Sequence, residues 1–239
     1  MTVEATQTIR EIVQQHPSTV PVFEELGIDY CCGGGKSLEQ ACQSKKISPE
    51  LVLSDLETAL AAKPVQDASR WQNASLGELA DHIVQQHHAY ATRELTRLSA
   101  LAEKVFLRHG DKYEHLALLR DLVNATAAEM TAHMLKEEQI LFPTFKLLEE
   151  AASTAAAHTP YMSSLQKPIH RLMDDHEDTG ELLSSIRELT NNYQPPVGAC
   201  MSFQALYNGL GELERDLHMH IHLENNVLFP RALDFAESN

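Results

Sequence analysis

The chain has 239 residues, 43% of them hydrophobic, and a formal net charge of −15 at pH 7. This length and apolar content suffice for one large domain, or for a small domain joined to a larger one. The negative charge disfavours nucleic acids and anionic membranes as partners, and no apolar run reaches the length of a membrane span. Residues 1–12 are polar and unlike a secretory signal, and four cysteines are too few for a disulfide scaffold, so a cytoplasmic protein is expected.

The first sixty residues predict a small helical domain. Helical segments are expected at 6–15, 18–26, 37–45 and 49–62, because prolines and glycines separate these stretches. The next stretch, KPVQDASRWQN at 63–73, is polar and contains Pro64, so it is expected to be a mobile linker. We therefore expect two domains, at residues 1–66 and 73–239.

Four long helices are predicted in the larger domain. Ser75-Leu-Gly-Glu78 has the S-x-x-E form of a capping box, and apolar residues recur after it at helical spacing. The first helix is therefore expected from 75 to about 109, and the others at about 112–150, 167–190 and 200–236. This pattern predicts an all-α protein, in which a four-helix bundle follows the small helical domain.

The two halves of the predicted bundle repeat one pattern of histidine and glutamate. HMLKEEQILFP at 133–143 and HIHLENNVLFP at 220–230 share the frame H-x-x-x-E-x-x-x-L-F-P at an offset of 87 residues. Upstream, HIVQQHH at 82–88 and HRLMDDH at 170–176 correspond at an offset of 88 residues. Each half thus contributes a histidine from one helix and an H-x-x-x-E pair from the next.

This repeat predicts a dinuclear metal site inside the bundle. Residues four apart share one side of a helix, so each H-x-x-x-E pair can reach one point. Two copies supply two nitrogen ligands for each of two metals, and two glutamates that can bridge them. Imidazole and carboxylate without thiolate suit iron, manganese or zinc. A single such pair is usually a solvated ion pair, but two pairs in register favour the metal site. The predicted ligands are His88, His133, Glu137, His176, His220 and Glu224.

Five other histidines near these positions are excluded as ligands. His82 and His170 correspond to each other, but they lie about 120° around the helix from the ligands and are expected only to support them. His87, His218 and His222 have no histidine counterpart in the other half.

The motifs DYCCGGG, HMLKEEQILFP, DDHEDTGELL and HIHLENNVLFP together resemble the Repair of Iron Centres family over nearly the whole chain. Members are cytoplasmic, hemerythrin-like di-iron proteins with a small cysteine-bearing N-terminal domain. The resemblance implies two iron ions on the same six residues, bridged by Glu137 and Glu224, with room for an oxo bridge. It also implies that Glu129 and Asp175 serve iron passage, although Asp175 is shorter than the glutamate expected there.

Cys31 and Cys32 match the cysteine pair of that family and are candidate redox thiols. The glycines at 33–35 are expected to turn the chain tightly and expose both thiols, as reactive cysteines require. The alternative is a buried pair in a turn. Cys42 and Cys200 have no partner spacing and are expected to be passive.

The resemblance implies repair of iron–sulfur clusters after nitrosative or oxidative damage, by iron donation or by handling nitric oxide. Damaged iron–sulfur proteins would be the partners, and nitric oxide or oxygen the small ligand. Two alternatives stay open: a carrier or sensor of oxygen or nitric oxide, and an enzyme that reduces nitric oxide by holding two molecules together. A homodimer is also compatible with the sequence.

Overall fold

A computed structural model describes residues 3–31, 33–61, 66–153 and 165–238. Within these ranges the chain forms helices and turns, with one isolated bridge between Thr8 and Ser37. The predicted all-α class is therefore confirmed. No helix in the described ranges combines the length and apolar character that crossing a bilayer requires.

The N-terminal part consists of short helices with polar caps. The helices are α1 (Ile9–Gln15), α2 (Val20–Glu25), α3 (Leu38–Lys45) and α4 (Pro49–Ala61), with a 3₁₀ turn at Pro17–Thr19. Thr8 and Ser37 begin α1 and α3 as capping boxes, because each hydroxyl accepts a hydrogen bond from a backbone N–H that would otherwise lack a partner. The buried sides of these helices form one apolar core, which includes Cys31 and extends to Ile221 in the larger part of the chain.

The predicted linker is wrong over residues 66–73, which form helix α5 (Gln66–Asn73). The Trp71 ring stacks on the His82 ring with centroids 4.1 Å apart. Arg231 donates hydrogen bonds to the carbonyls of Trp71 and Ala74. These contacts fix helix α5 against the bundle, although the polar sequence of this segment predicts a mobile linker. Residues 63–65 of the predicted linker lie outside the described ranges.

Four helical runs at 76–109, 115–153, 166–189 and 201–238 form the bundle, within about three residues of the predicted helices. The first, second and fourth runs each contain a π-helical turn. In chain order, the elements are α6 (Leu76–His82), π1 (Ile83–His88), α7 (Ala89–His109), α8 (His115–Lys136), π2 (Glu137–Leu141), α9 (Phe142–Ser153), α10 (Gln166–Leu189), α11 (Met201–His222), π3 (Leu223–Leu228) and α12 (Phe229–Ser238). The sequence pattern also predicts a turn at 151–160 between the second and third runs, and most of it lies outside the described residues.

Two apolar cores lie at different positions along the long axis of the bundle. One core includes Leu98, Leu119 and Leu210 and lies toward the 109–115 turn. The other includes Phe145 and Phe229 and lies toward the opposite end. The predicted metal ligands fall between these two sets along the helices, so packed apolar layers enclose them on both sides.

Candidate metal centre

The structure brings all six sequence-predicted ligands together in one buried cluster. Their side chains form two groups of four, and within each group one ligand atom per residue lies within 4.8 Å of the others. The first group is His88, Glu137, His220 and Glu224, and the second is His133, Glu137, His176 and Glu224. Both glutamates belong to both groups, which is the placement that bridging ligands require.

Each group contains two imidazoles that face one another through Nε2. The Nε2 atoms of His88 and His220 are 3.1 Å apart, and those of His133 and His176 are 2.8 Å apart. Two nitrogens bound to one metal ion at about 2.1 Å and near a right angle would be separated by about 3 Å. The spacing of each pair therefore fits shared coordination of one ion.

Hydrogen bonds at the outer ring nitrogens orient two of these histidines. His88 Nδ1 lies 2.8 Å from Glu138 Oε1, and His176 Nδ1 lies 2.9 Å from Asn225 Oδ1. An oxygen acceptor at Nδ1 keeps the proton there, so the Nε2 lone pair points into the cluster. Lone pairs that face each other repel, and a cation between them would remove the repulsion.

The two glutamates are fully buried and short of hydrogen-bond donors. Glu137 Oε2 lies 3.3 Å from His133 Nε2, and Glu224 Oε1 lies 2.9 Å from His220 Nε2. Among the described residues, neither oxygen of Glu137 and only one oxygen of Glu224 forms a hydrogen bond. Buried carboxylates without donors are costly unless a cation compensates them. The donor set therefore fits metal ions, and its mixture of imidazole nitrogen and carboxylate oxygen suits iron, manganese or zinc.

The electrostatics of the cluster keep both carboxylates ionised. Burial disfavours the charged form of His88, but the carboxylates of Glu137 and Glu224 outweigh burial and raise its pKa to about 10. Burial and the charge of Glu224 act to raise the pKa of Glu137, yet the neighbouring imidazoles lower it overall. For His220, burial prevails and lowers the pKa. Ionised carboxylates are the form that binds a cation, and a cation bound at His88 would displace the proton that the raised pKa of this imidazole retains.

Three of the six ligands lie in the π-helical turns: His88 in π1, Glu137 in π2 and Glu224 in π3. A π turn inserts an extra residue into a helix and re-aims the side chains around it. The helical periodicity of the sequence does not reveal these π turns. Pro143 and Pro230, which follow π2 and π3, are a partial signal, because proline cannot donate the usual helical hydrogen bond.

The residues that support the ligands differ from those expected. Glu138 and Asn225 were not predicted, yet each follows a bridging glutamate in the repeat, and that equivalence could have identified them. His82 stacks on Trp71, and His170 is exposed on α10. His87, which was excluded as a ligand, packs its ring against that of His220 with centroids 6.0 Å apart.

The two acidic residues assigned to iron passage have different positions. Asp175 Oδ2 lies 3.5 Å from His133 Nδ1 and accepts a hydrogen bond of 2.7 Å from Lys136 Nζ. Glu129 is exposed on α8, and the cluster of ligand atoms among the described residues does not include it. Asp175 thus contacts a predicted ligand directly.

Cys31 lies between α2 and α3, and we call residues 26–31 of this segment the Cys31 loop. Its side chain is buried, its N–H donates to Asp29 Oδ1 at 3.0 Å, and its Sγ lies 3.4 Å from the same oxygen. The prediction that the glycine run exposes both thiols is therefore wrong for Cys31, because this residue packs into the N-terminal core. Cys32 lies outside the described residues.

A cavity of about 460 Å³ lies between the N-terminal helices, α5 and the bundle. Pro21, Trp71 and Val227 contribute to its wall, together with the imidazoles of His87 and His222. Because the His87 ring packs against that of the predicted ligand His220, the cavity brings a mostly apolar space close to the cluster.

Comparison with known proteins divides the chain in two. Residues 5–60 match the family model of a domain of unknown function, DUF542, and residues 79–232 match that of the hemerythrin HHE cation binding domain. The probable iron-sulfur cluster repair protein of Haemophilus influenzae is 38% identical over 96% of this chain and 98% of its own length. The iron-sulfur cluster repair proteins YtfE of Enterobacter sp. strain 638 and Escherichia coli O157:H7 are each 38% identical over 95% of this chain and 96% of their own length.

Proposed function

The chain belongs to the family of iron–sulfur cluster repair proteins that carry a hemerythrin HHE cation binding domain, and on this premise we propose how its site serves repair. We propose that the six buried residues hold two iron ions, joined by Glu137, Glu224 and an oxo bridge. The protein would deliver iron to iron–sulfur proteins whose clusters nitrosative or oxidative stress has damaged. A cytoplasmic location and a homodimer stay predictions.

The sharing of both glutamates between the two groups of four carries this proposal. Each group offers two nitrogens and two shared carboxylates, which leaves positions for a bridge and for a small ligand. When bound, the iron pair would supply Lewis acidity and redox change. The protein supplies the orientation of the imidazoles, and the apolar layers above and below limit the access of water.

The partners of two ligands reach the surface, which supports release of iron as cargo. The side chain of Glu138 is 42% exposed and that of Asp175 is 30% exposed, and they contact His88 and His133 respectively. One histidine in each group of four is therefore connected to solvent by a carboxylate. An iron ion could leave past these side chains without the bundle unfolding. A similar role for Glu129 stays a prediction.

The direct test uses an iron–sulfur dehydratase whose cluster has been damaged by nitric oxide. Iron-loaded protein should restore its activity faster than the same concentration of ferrous salt, because the protein presents iron from a defined site. Glu137→Leu protein is the matched control and should not exceed the salt. Equal recovery with wild-type protein and with salt would refute repair by iron donation.

The apolar cavity beside His87 favours one further activity, the reduction of nitric oxide at the same site. A small uncharged molecule would collect in such a space more readily than an ion would. Sustained formation of nitrous oxide over many turnovers, with an excess of a one-electron reductant, would support this activity, and a burst below one equivalent would refute it. A stable and reversible oxygen adduct in stopped-flow spectra would instead favour a carrier.

A further inference from the structure

Two adjacent asparagines hold the Cys31 loop, and one of them also contacts the cluster of predicted ligands. Asn225 and Asn226 lie in π3, directly after the bridging Glu224, and both are buried, with 2% and 5% of their surface exposed. Asn225 Nδ2 donates to the carbonyl of Cys31 at 3.0 Å, and Asn226 Nδ2 donates to the carbonyl of Tyr30 at 3.1 Å. The loop that carries the thiol is thus held through its backbone.

The carbonyl of Cys31 determines which way the Asn225 amide faces. A carbonyl oxygen only accepts hydrogen bonds, so the NH₂ group must point toward Cys31 and Oδ1 must point toward His176. His176 Nδ1, at 2.9 Å, then donates to Oδ1, which leaves the Nε2 lone pair directed into the cluster. One amide therefore sets both the position of the Cys31 loop and the tautomer of a predicted ligand.

The equivalent position in the other half of the bundle shows why an amide is needed here. Glu138 occupies that position and orients His88, but its carboxylate is partly exposed to solvent. A carboxylate at position 225 could accept from His176 but could not donate to the Cys31 carbonyl. An amide satisfies both partners without burying another charge.

We propose that Asn225 is a positioning residue that couples the Cys31 loop to the ligand His176. The inference rests on the proposed function only in taking His176 as an iron ligand. Iron on His176 Nε2 restrains the imidazole, which restrains the amide and closes the Cys31 loop. By linkage, opening of the loop weakens iron binding by the same factor by which iron suppresses opening.

The rate at which N-ethylmaleimide alkylates the buried Cys31 measures opening of the loop. Alkylation is followed at the Cys31 peptide by mass spectrometry, with and without two equivalents of ferrous iron added anaerobically. Iron should slow alkylation of wild-type Cys31 about fivefold or more, the lower end of the usual range for coupled sites. Asn225→Asp retains the acceptor for His176 but loses the donor to Cys31, so iron should no longer change the rate.

Asn226→Ala is the matched control, because it releases the Tyr30 carbonyl without touching His176. Alkylation should be faster in this variant, while the ratio of rates with and without iron stays that of the wild type. Iron binding is measured in the same samples. If wild-type protein binds no iron, the proposed function fails and this inference with it. If it binds iron while Cys31 reacts at an unchanged rate, or if Asn225→Asp keeps the wild-type ratio, only the inference is overturned.

Discussion

The two halves of the bundle, residues 76–153 and 166–238, provide equivalent ligands but different surroundings for them. After the glutamate that both groups of four share, the first half has Glu138, partly exposed, and the second has Asn225, buried beneath the Cys31 loop. Before its upstream ligand the first half has His87 and the second has Asp175. The predicted ligands are therefore duplicated between the two halves. The residues that contact them differ according to whether that side of the bundle faces solvent or the small domain.

The difference follows from the cost of burying charge. The two ligands supported by carboxylates, His88 and His133, have partners that solvent reaches. Where the small domain covers the bundle, a further carboxylate would lose hydration without gaining a cation, so a neutral amide replaces it. Supporting residues that face solvent, such as Glu138 and Asp175, can carry a charge and can allow iron to exchange. A covered supporting residue such as Asn225 can instead couple its ligand to the position of the small domain.

The largest effect is expected at Glu137 and Glu224, because each of these glutamates belongs to both groups of four predicted ligands. Glu137→Leu or Glu224→Leu removes a bridge, so we expect loss of at least one iron ion per chain, although the thiols stay titratable. Iron analysis with Mössbauer spectroscopy would measure both the content and the coupling of the ions. Glu129→Leu is the control and should retain wild-type iron. Full iron content in either bridge variant would show that the shared glutamates do not bridge.

The small domain provides the opposite test. Cys31→Ser combined with Cys32→Ser should leave the iron content and spectrum unchanged and abolish repair, if these thiols pass electrons or iron to the bundle. The physical reason is that the backbone carbonyl of Cys31, and not its thiol, accepts the hydrogen bond from Asn225, which contacts the predicted ligand His176. Iron content and recovery of the damaged dehydratase are measured on the same preparation. Loss of iron comparable to that of the glutamate variants would make the cysteines ligands.

The sequence predicted what depends on local pattern, and missed what depends on distant packing. The four helices and the six ligands followed from capping, periodicity and the duplicated H-x-x-x-E frame, all visible within short stretches. Burial of Cys31 and its contact with Asn225 join residues 194 positions apart, which no local pattern encodes. Helix α5 was missed for the same reason, because Arg231 and His82 hold it from other parts of the chain.

A smaller effect, on the free energy of unfolding, should distinguish Asn225 from Glu138, the residues that follow the two shared glutamates. Asn225→Ala removes the buried hydrogen bonds to the Cys31 carbonyl and to His176 Nδ1, so we expect a loss of about 1–3 kcal/mol in the free energy of unfolding. Glu138→Ala exposes His88 Nδ1 to water, and less than about 1 kcal/mol should be lost. Urea unfolding after treatment with a chelator measures both, since bound metal would add its own stabilisation. Equal losses would contradict the distinction between covered and solvent-facing support.

The smallest effect is expected at Lys136, on the solvent-facing side. Its ammonium group holds Asp175 at 2.7 Å, while Asp175 lies 3.5 Å from His133 Nδ1. Lys136→Met removes a positive charge near the cluster and leaves the Asp175 carboxylate to accept from His133, which makes this imidazole a better ligand. A surface ion pair contributes up to about 1 kcal/mol, so transfer of iron to a chelator should slow by about twofold to fivefold. Lys146→Met is the matched control, because Lys146 pairs with Asp81 away from the ligands and its loss should not change the rate. Faster transfer from the Lys136 variant would mean that the lysine holds Asp175 in place for His133 rather than competing with it.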